Sequence, residues 1–335
     1  MKKILPLIIL VCISQLMYAQ QTVDAIRTQA MTSAQQQDFS GAIQTLQQGL
    51  QQYPDNLDLL KDEAYIAYLG RDYQHALETG KTITERDDAD IQSYQILGLT
   101  YKAIADYKNA DKLYKTALKK FPQSGVLYGE YGDMLAQYDN KHGAIVQWEK
   151  GIAAEANYSS NYYYAAKYYS NTGNILWAVL YGETFINIES LSKRTVEIKD
   201  LLLTDYKKLF EGNVLSEIIQ KGTPFEKAVA ATFTKQSSIT AMGLSPESLT
   251  ALRTRFILFW DEKNAEKFPF RLFQFQLQLL QEGMFDAYNQ WIFGAAASSN
   301  DYDTWVHLHG DEVADLQNFQ RNVLYKIPEG QYYMH

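Results

Sequence analysis

Residues 91–124 read IQSYQILGLTYKAIADYKNADKLYKTALKKFPQS, and this stretch decides the fold. Large side chains at Tyr94, Leu97, Tyr101 and Tyr114 surround two small ones, Gly98 and Ala110, which stand twelve residues apart. Asp106 lies between the small pair, and Pro122 closes the stretch. On either side of Asp106 the apolar residues recur every three to four positions, the period of an amphipathic helix. The stretch therefore predicts two helices and a turn, with Asp106 capping the second helix and Pro122 ending it. Two helices of one hairpin approach closely only where neither carries bulk, which places Gly98 and Ala110 at the crossing.

The same pattern extends in both directions. Ala42, Ala76, Ala110, Ala144 and Ala178 follow one another at intervals of 34 residues, and Ala30, Ala64, Gly98, Gly132 and Ala166 stand twelve residues before them. The fourth unit repeats the packing set with Tyr128, Tyr131, Leu135, Trp148 and Gly151. Asp38, Asp72, Asn140 and Asn174 stand at the turns as Asp106 does, and Pro54 ends the first unit. A fixed period of this length marks stacked helical hairpins. The pattern resembles the tetratricopeptide repeat family over residues 23–192, as five units: 23–56, 57–90, 91–124, 125–158 and 159–192. The resemblance implies an all-α protein, a right-handed α-solenoid of such hairpins followed by an all-helical C-terminal region. Gly80 and Gly182 occupy positions where the family carries a large residue, so the second helices of units two and five are expected to pack loosely.

Past the repeats the chain still reads helical. Lys193 to Glu211 carries Val196, Ile198, Leu201, Leu202, Leu203, Tyr206, Leu209 and Phe210 at helical spacing, and is expected to cap the exposed end of the array. Residues 212–335 form a helical C-terminal domain, in which Thr223-Pro224-Phe225-Glu226 and Ser245-Pro246-Glu247-Ser248 have the composition of helix starts. Within it, Ala287, Trp291 and Gly294 repeat the spacing of Ala144, Trp148 and Gly151, so residues 268–301 are a candidate degenerate hairpin. Phe275 stands where that hairpin needs a small residue, and an ordinary helical pair is the alternative.

At the N-terminus, Lys2 and Lys3 precede an apolar run from Ile4 to Ile13, and Ala19 offers a small residue before a cut. That order is the order of a signal peptide, residues 1–19, and it places the mature chain in the periplasm or cell envelope, or outside the cell. The run is shorter than the roughly 20 residues that span a bilayer, so no transmembrane span is expected in the mature chain. Cys12 raises a lipoprotein signal as an alternative, which Val11 before it disfavours. The ending Tyr18-Ala19-Gln20-Gln21 resembles that of exported proteins of Bacteroidota. Cys12 is the one cysteine, so neither a disulfide nor a thiol nucleophile is expected after cleavage.

The formal net charge is −8, with an isoelectric point near 5.2 and no basic block. Such a chain suits neither a phosphate backbone nor an anionic membrane surface, and no nucleic acid partner is expected. Glycine-rich phosphate loops, nucleophile elbows and His-Glu-x-x-His helices are missing from the sequence. His307 and His309, with Asp303 and Asp311 nearby, offer no identifiable third metal ligand, and two positions apart on a helix they point in different directions. The expectation is therefore no catalytic residue, no metal and no cofactor.

Function then falls to surface contact. The tetratricopeptide resemblance implies a concave groove lined by the first helix of each hairpin. Mapped onto this sequence, the groove holds Asp24, Arg27 and Met31, then Asp58, Lys61, Tyr65, Tyr68 and Leu69, then Gln92, Gln95, Leu99 and Lys102. Val126, Asp133 and Gln137 continue it, and Ser160, Tyr163, Lys167 and Asn171 complete it. Among these, Arg27, Lys61, Tyr65, Tyr68, Gln95, Lys102, Asp133, Tyr163 and Lys167 are the candidate partner-binding residues. Tyrosine suits contact surfaces because it joins apolar area to a hydroxyl. Lys61, Lys102 and Lys167 are expected to meet acidic groups on an extended peptide. The Lys-x-x-x-Asn pair that clamps a C-terminal carboxylate in some family members is missing, since Tyr65 follows Lys61 and Met31 follows Arg27. The sequence thus points to a non-enzymatic exported scaffold for a protein or peptide. The alternative is a small-ligand site, glycan-binding or glycan-processing, in the C-terminal helices.

Overall fold

The computed structural model describes residues 22–331, and every regular element among them is a helix. The signal-like segment with Lys2, Lys3, Cys12 and Ala19 lies outside the described residues, as does His335. Five helical pairs come first: α1 (22–35) with α2 (Phe39–Gln52), α3 (Leu57–Leu69) with α4 (Tyr73–Thr84), α5 (Ile91–Ala103) with α6 (Tyr107–Lys120), α7 (Gly125–Gln137) with α8 (Lys141–Ala154), and α9 (Ser159–Thr172) with α10 (Ile175–Ile188). Then come α11 (Lys193–Leu209), α12 (Val214–Lys221), α13 (Pro224–Thr234), a 3-10 turn at Ser237–Met242, α14 (Pro246–Lys263), α15 (Arg271–Gln281), α16 (Phe285–Ala297), α17 (Ser299–Leu308) and α18 (Gly310–Asn322). The fold is all-α and begins as a tandem array of tetratricopeptide-type hairpins.

The 34-residue period reappears in the backbone. Each hairpin turns at a left-handed residue: Gln37 (φ 66°), Arg71 (62°), Ala105 (56°), Asp139 (59°) and Gly173 (91°). The next residue caps the second helix. Asp38 accepts from the Gly41 N–H at 2.9 Å, Asp72 from His75 at 3.1 Å, Asp106 from Asn109 at 3.2 Å and Asn140 from Gly143 at 2.9 Å. Asn174 makes no such bond, against expectation. In that hairpin alone the left-handed residue is glycine, which adopts positive φ without strain and needs no cap to hold it there.

The crossing positions are closed. Ala30, Ala42, Ala64, Ala76, Ala110, Ala144 and Ala166 have no accessible surface, and Ala178 has 1%. Gly98 admits its neighbour further than alanine does, because a Cβ there would lie 2.3 Å from the Tyr114 hydroxyl oxygen. The other two glycines overturn the expectation of loose packing. A Cβ at Gly80 would stand 3.1 Å from Leu97 Cδ1, and one at Gly182 would stand 3.0 Å from Leu202 Cδ2 and 3.4 Å from Ile198 Cγ2. Both glycines replace a large residue because a neighbouring helix has moved into its space.

Two compact units divide at Tyr138 and Asp139, inside the fourth repeat. The first unit contains α1–α7, and α8–α18 belong to the second. In the second unit, α10 is buried at every residue from Ile175 to Ile186. A helix apolar all round belongs at a centre, and α9, α11 and α15 pack on it. One charge sits in that centre: the Glu183 carboxylate accepts from the Arg253 guanidinium, the Gln276 amide and the Tyr206 hydroxyl. Arg253 also donates to Asn289, and its guanidinium carbon lies 5.2–5.7 Å from the ring centres of Phe293, Phe285, Tyr288 and Tyr206. Both members of the ion pair are 1% exposed.

The helix expected to cap the array instead continues it. α11 begins 34 residues after α9, at Lys193 against Ser159. Its side chains meet those of α9 at the same step: Tyr163 donates to Glu197 at 2.5 Å, Arg194 to Ser160 at 3.1 Å and Ser170 to Asp205 at 2.9 Å. α16 then packs on α11, so this helix is interior to the unit. α15 and α16 do follow one another as the candidate sixth hairpin requires. The residue at its small position, Phe275, is buried against Tyr288, Phe319 and Tyr325, with ring centres 6.2, 5.8 and 5.0 Å away.

Candidate partner-binding face

The first helices place their polar side chains in rows, because a step of 34 or 35 residues returns to the same position on the next first helix. In the first unit those rows are already bonded. Arg27 of α1 donates to Asp62 of α3 at 2.6 Å and lies 3.7 Å from Asp58. Lys61 of α3 reaches Asp90, the cap of α5, at 2.7 Å and Asp58 at 2.9 Å. On α5, Gln95 donates to Glu130 of α7 at 2.7 Å and Lys102 to Asp133 at 2.8 Å. Gln137 also donates to Asp133, at 3.0 Å. Tyr114 adds a bond to Glu130 at 3.2 Å, through the room that Gly98 leaves.

These bonds set the electrostatics. Burial disfavours the Lys61 ammonium, but the hydrogen bonds it donates to Asp90 and Asp58 outweigh burial and raise its pKa. The same exchange acts on Asp90: burial alone would raise its pKa, while Lys61 and Ser93 bring it below the ordinary value. Glu130 goes the other way, raised mainly by burial against the opposing bond from Gln95. The face thus carries Asp24, Asp58, Asp62, Asp90, Glu130 and Asp133 against Arg27, Lys61 and Lys102, an excess of negative charge.

The reading of the lysines as hooks for an acidic peptide is therefore corrected. Lys61 is 5% exposed, the Lys102 side chain 11%, and each already holds a carboxylate, Asp90 at the cap of α5 and Asp133 on α7. Gln95 and Asp133 are likewise engaged, and Arg27 spans to Asp62 and Asp58. Tyr65 and Tyr68 are half-buried and stack on one another at 6.2 Å, with Tyr68 also 6.2 Å from Tyr73. In the second unit, Tyr163 is 8% exposed. Lys167 donates to its hydroxyl at 3.0 Å and pairs with Glu197 at 2.6 Å. α11 covers Tyr163 in this part of the mapped groove, while the Lys167 side chain stays 38% exposed with its ammonium already paired to Glu197.

One part of the face remains open. A shallow cavity of about 420 Å³ lies over α1 and α3, lined by Asp24, Arg27, Thr28, Met31, Gln35 and Asp62. Thr28 escapes a mapping built on five positions per repeat, since it sits between those positions on α1, whereas Gln35 stands at the position of Leu69 in the next unit and was not among the residues named. Asp62, Asp90, Glu130 and Glu197 were missed as well. Two of them had a signal in the sequence, a complementary group 35 residues earlier, Arg27 before Asp62 and Gln95 before Glu130, whereas Asp90 and Glu197 pair with Lys61 and Lys167 outside that spacing. At the C-terminal histidines, His309 bonds Glu312 at 2.8 Å and stacks on Trp305 with ring centres 4.5 Å apart.

No protein-family model matches the chain, and no curated protein does. Solved structures resemble it at low identity. A thermophilic tetratricopeptide-repeat protein of Thermus thermophilus is 17% identical, with 54% of this chain and 98% of that one covered, at a TM-score of 0.45. One from Parabacteroides merdae is 14% identical over 72% of this chain and 92% of that one, with a TM-score of 0.43. A human IFIT1 dimer with PPP-AAAA is 13% identical over 92% of this chain and 78% of that one, with a TM-score of 0.36. These are likenesses of fold. The repeat assignment rests on this chain's own turns, crossings and inter-repeat bonds. Among the described residues, no helix is long and apolar enough to cross a membrane.

Proposed function

We propose that this chain is a non-enzymatic scaffold whose first-helix face binds a protein or peptide partner in the cell envelope. The observation that carries the reading is the bonded row of Arg27, Lys61, Gln95 and Lys102 with acids on, or capping, the following first helices. It holds an extended face rigid before any partner arrives, and preorganisation of this kind lowers the cost of association. The unspent charge on the face is negative, so the partner brings basic side chains rather than acidic ones. A nucleic acid does not match that charge. Export is supported by Lys2, Lys3, the apolar run from Ile4 to Ile13, and Ala19.

A photo-crosslinking amino acid at Met31 or Thr28, compared with one at the exposed Lys112 of α6, tests the face. A single cross-linked product specific to Met31 and Thr28 is expected in the native host. Products that form equally from Lys112 remove the face from the account. N-terminal sequencing of the mature protein, expected to begin at Gln20, tests export separately.

A second reading has its own observation. Unit two holds a more enclosed cavity with polar groups on its lining, the feature that favours a small-ligand site in the C-terminal helices.

A further inference from the structure

That cavity measures about 420 Å³ and lies between α11, α14, α16 and α17, remote in sequence from the face of the first unit. The volume is at the low end of the range for small-molecule sites, about 300–1,000 Å³. Its lining sorts by depth. Gln290 is its buried polar group, at 5% exposure, while the charged members Lys207, Glu247 and Asp301 are exposed at the rim. Gln290 donates its amide to Glu247 at 3.0 Å, and Ser245 donates to the same carboxylate at 2.7 Å. The bond from Ser245 is the main reason the Glu247 carboxyl is held below its usual pKa, so this rim group stays an acceptor. The Gln290 carbonyl oxygen has no protein donor among the described residues.

Gly294 makes the floor possible. A Cβ there would lie 2.4 Å from Tyr302 Cδ2 and 2.8 Å from the Gln290 carbonyl oxygen. Gly294 therefore lets Tyr302 and the Gln290 amide approach the same space. Trp305, stacked against His309 between α17 and α18, adds a second aromatic group to the lining, and Leu203 and Pro246 supply aliphatic surface.

We infer that this cavity binds a single neutral sugar ring. Its depth offers a carboxamide and aromatic and aliphatic surface, which match the hydroxyls and the C–H faces of a pyranose. A charged ligand atom placed at that depth would lose water without gaining a counter-charge, which is costly. An anionic ligand also meets Glu247 and Asp301 at the rim against Lys207 alone. The inference is independent of the partner-binding face and stands or falls apart from it.

The test is calorimetric titration of the full chain with glucose, galactose and N-acetylglucosamine, alongside glucose 6-phosphate and leucine. Two variants accompany it: Gln290→Leu, which removes the amide, and Ala297→Trp, which fills the cavity from an exposed position and leaves the core intact. At least one neutral sugar is expected to bind with a Kd of about 1 mM or tighter, weakened about tenfold or more in both variants. Three results overturn the inference: no binding of any of the three neutral sugars, binding that survives Ala297→Trp unchanged, or equal affinity for glucose 6-phosphate or leucine.

Discussion

Ala105 holds φ at 56° where its counterpart two hairpins later is Gly173 at 91°. An L-residue with a Cβ costs about 1–2 kcal/mol in that conformation, and glycine gives back part of the gain through its freer unfolded chain. Ala105→Gly is therefore expected to stabilise the protein by about 0.5–1 kcal/mol, and Gly173→Ala to destabilise it by about 1 kcal/mol. Urea unfolding followed by circular dichroism reads both, and two changes of the same sign contradict the account. Lys199 offers a pH test. Its ammonium lies 3.6 Å from the centre of the Trp291 ring, it forms no ion pair among the described residues, and burial brings its pKa from 10.5 down to about 7. Between those values the unfolded chain binds a proton that the folded one releases, so stability rises with pH across this window. Lys199→Met is expected to stabilise at pH 7 by at most the roughly 4–5 kcal/mol that this shift represents, less the lost ammonium–indole attraction of about 0.5–1 kcal/mol. The gain fades toward pH 10.5. A gain that does not change between pH 7 and pH 10 disproves this titration.

Among the helices, the ones that a repeat pattern describes are the ones whose ends and crossings were legible. Asp72 and Asp106 cap because a turn must recur every 34 residues, and Ala76 and Ala110 are small because a crossing must. What a helix meets on its outer side was not legible. Gly182 looked like a defect in α10, yet it is where Leu202 of α11 sits. Gly182→Ala separates the two views by sign. In a loosely packed helix alanine gains about 1 kcal/mol from propensity. Against a closed Leu202 the added methyl costs about 1–3 kcal/mol, so a net loss of about 1 kcal/mol is expected in urea unfolding. The candidate face shows the same limit. Residue type and phase identified Lys61, Lys102 and Lys167 as polar first-helix residues. That Asp90, Asp133 and Glu197 pair with them became visible only when successive helices were brought side by side.

In the second unit as a body, Glu183 and Arg253 are 70 residues apart in sequence and share the most buried ion pair among the described residues. Arg253→Met strands a carboxylate in an aromatic interior and is expected to cost about 3–5 kcal/mol. Adding Glu183→Gln removes the orphaned charge while keeping an acceptor for Tyr206, and at least half of that loss is expected to return. Unfolding free energies of the single and double variants check both statements, and a double variant no more stable than Arg253→Met refutes the pairing. No period predicts this contact or the cavity of Gln290, Glu247 and Tyr302, since each joins segments with no common spacing. The number, phase and turn chemistry of the hairpins follow from local rules that repeat along the chain, because each hairpin meets chiefly its neighbours and needs the same small residues to do so. Which charges are already spent, which glycines are filled, and where a ligand-sized space opens depend on helices far apart in sequence. Those facts come into being only when the packing removes water from between them.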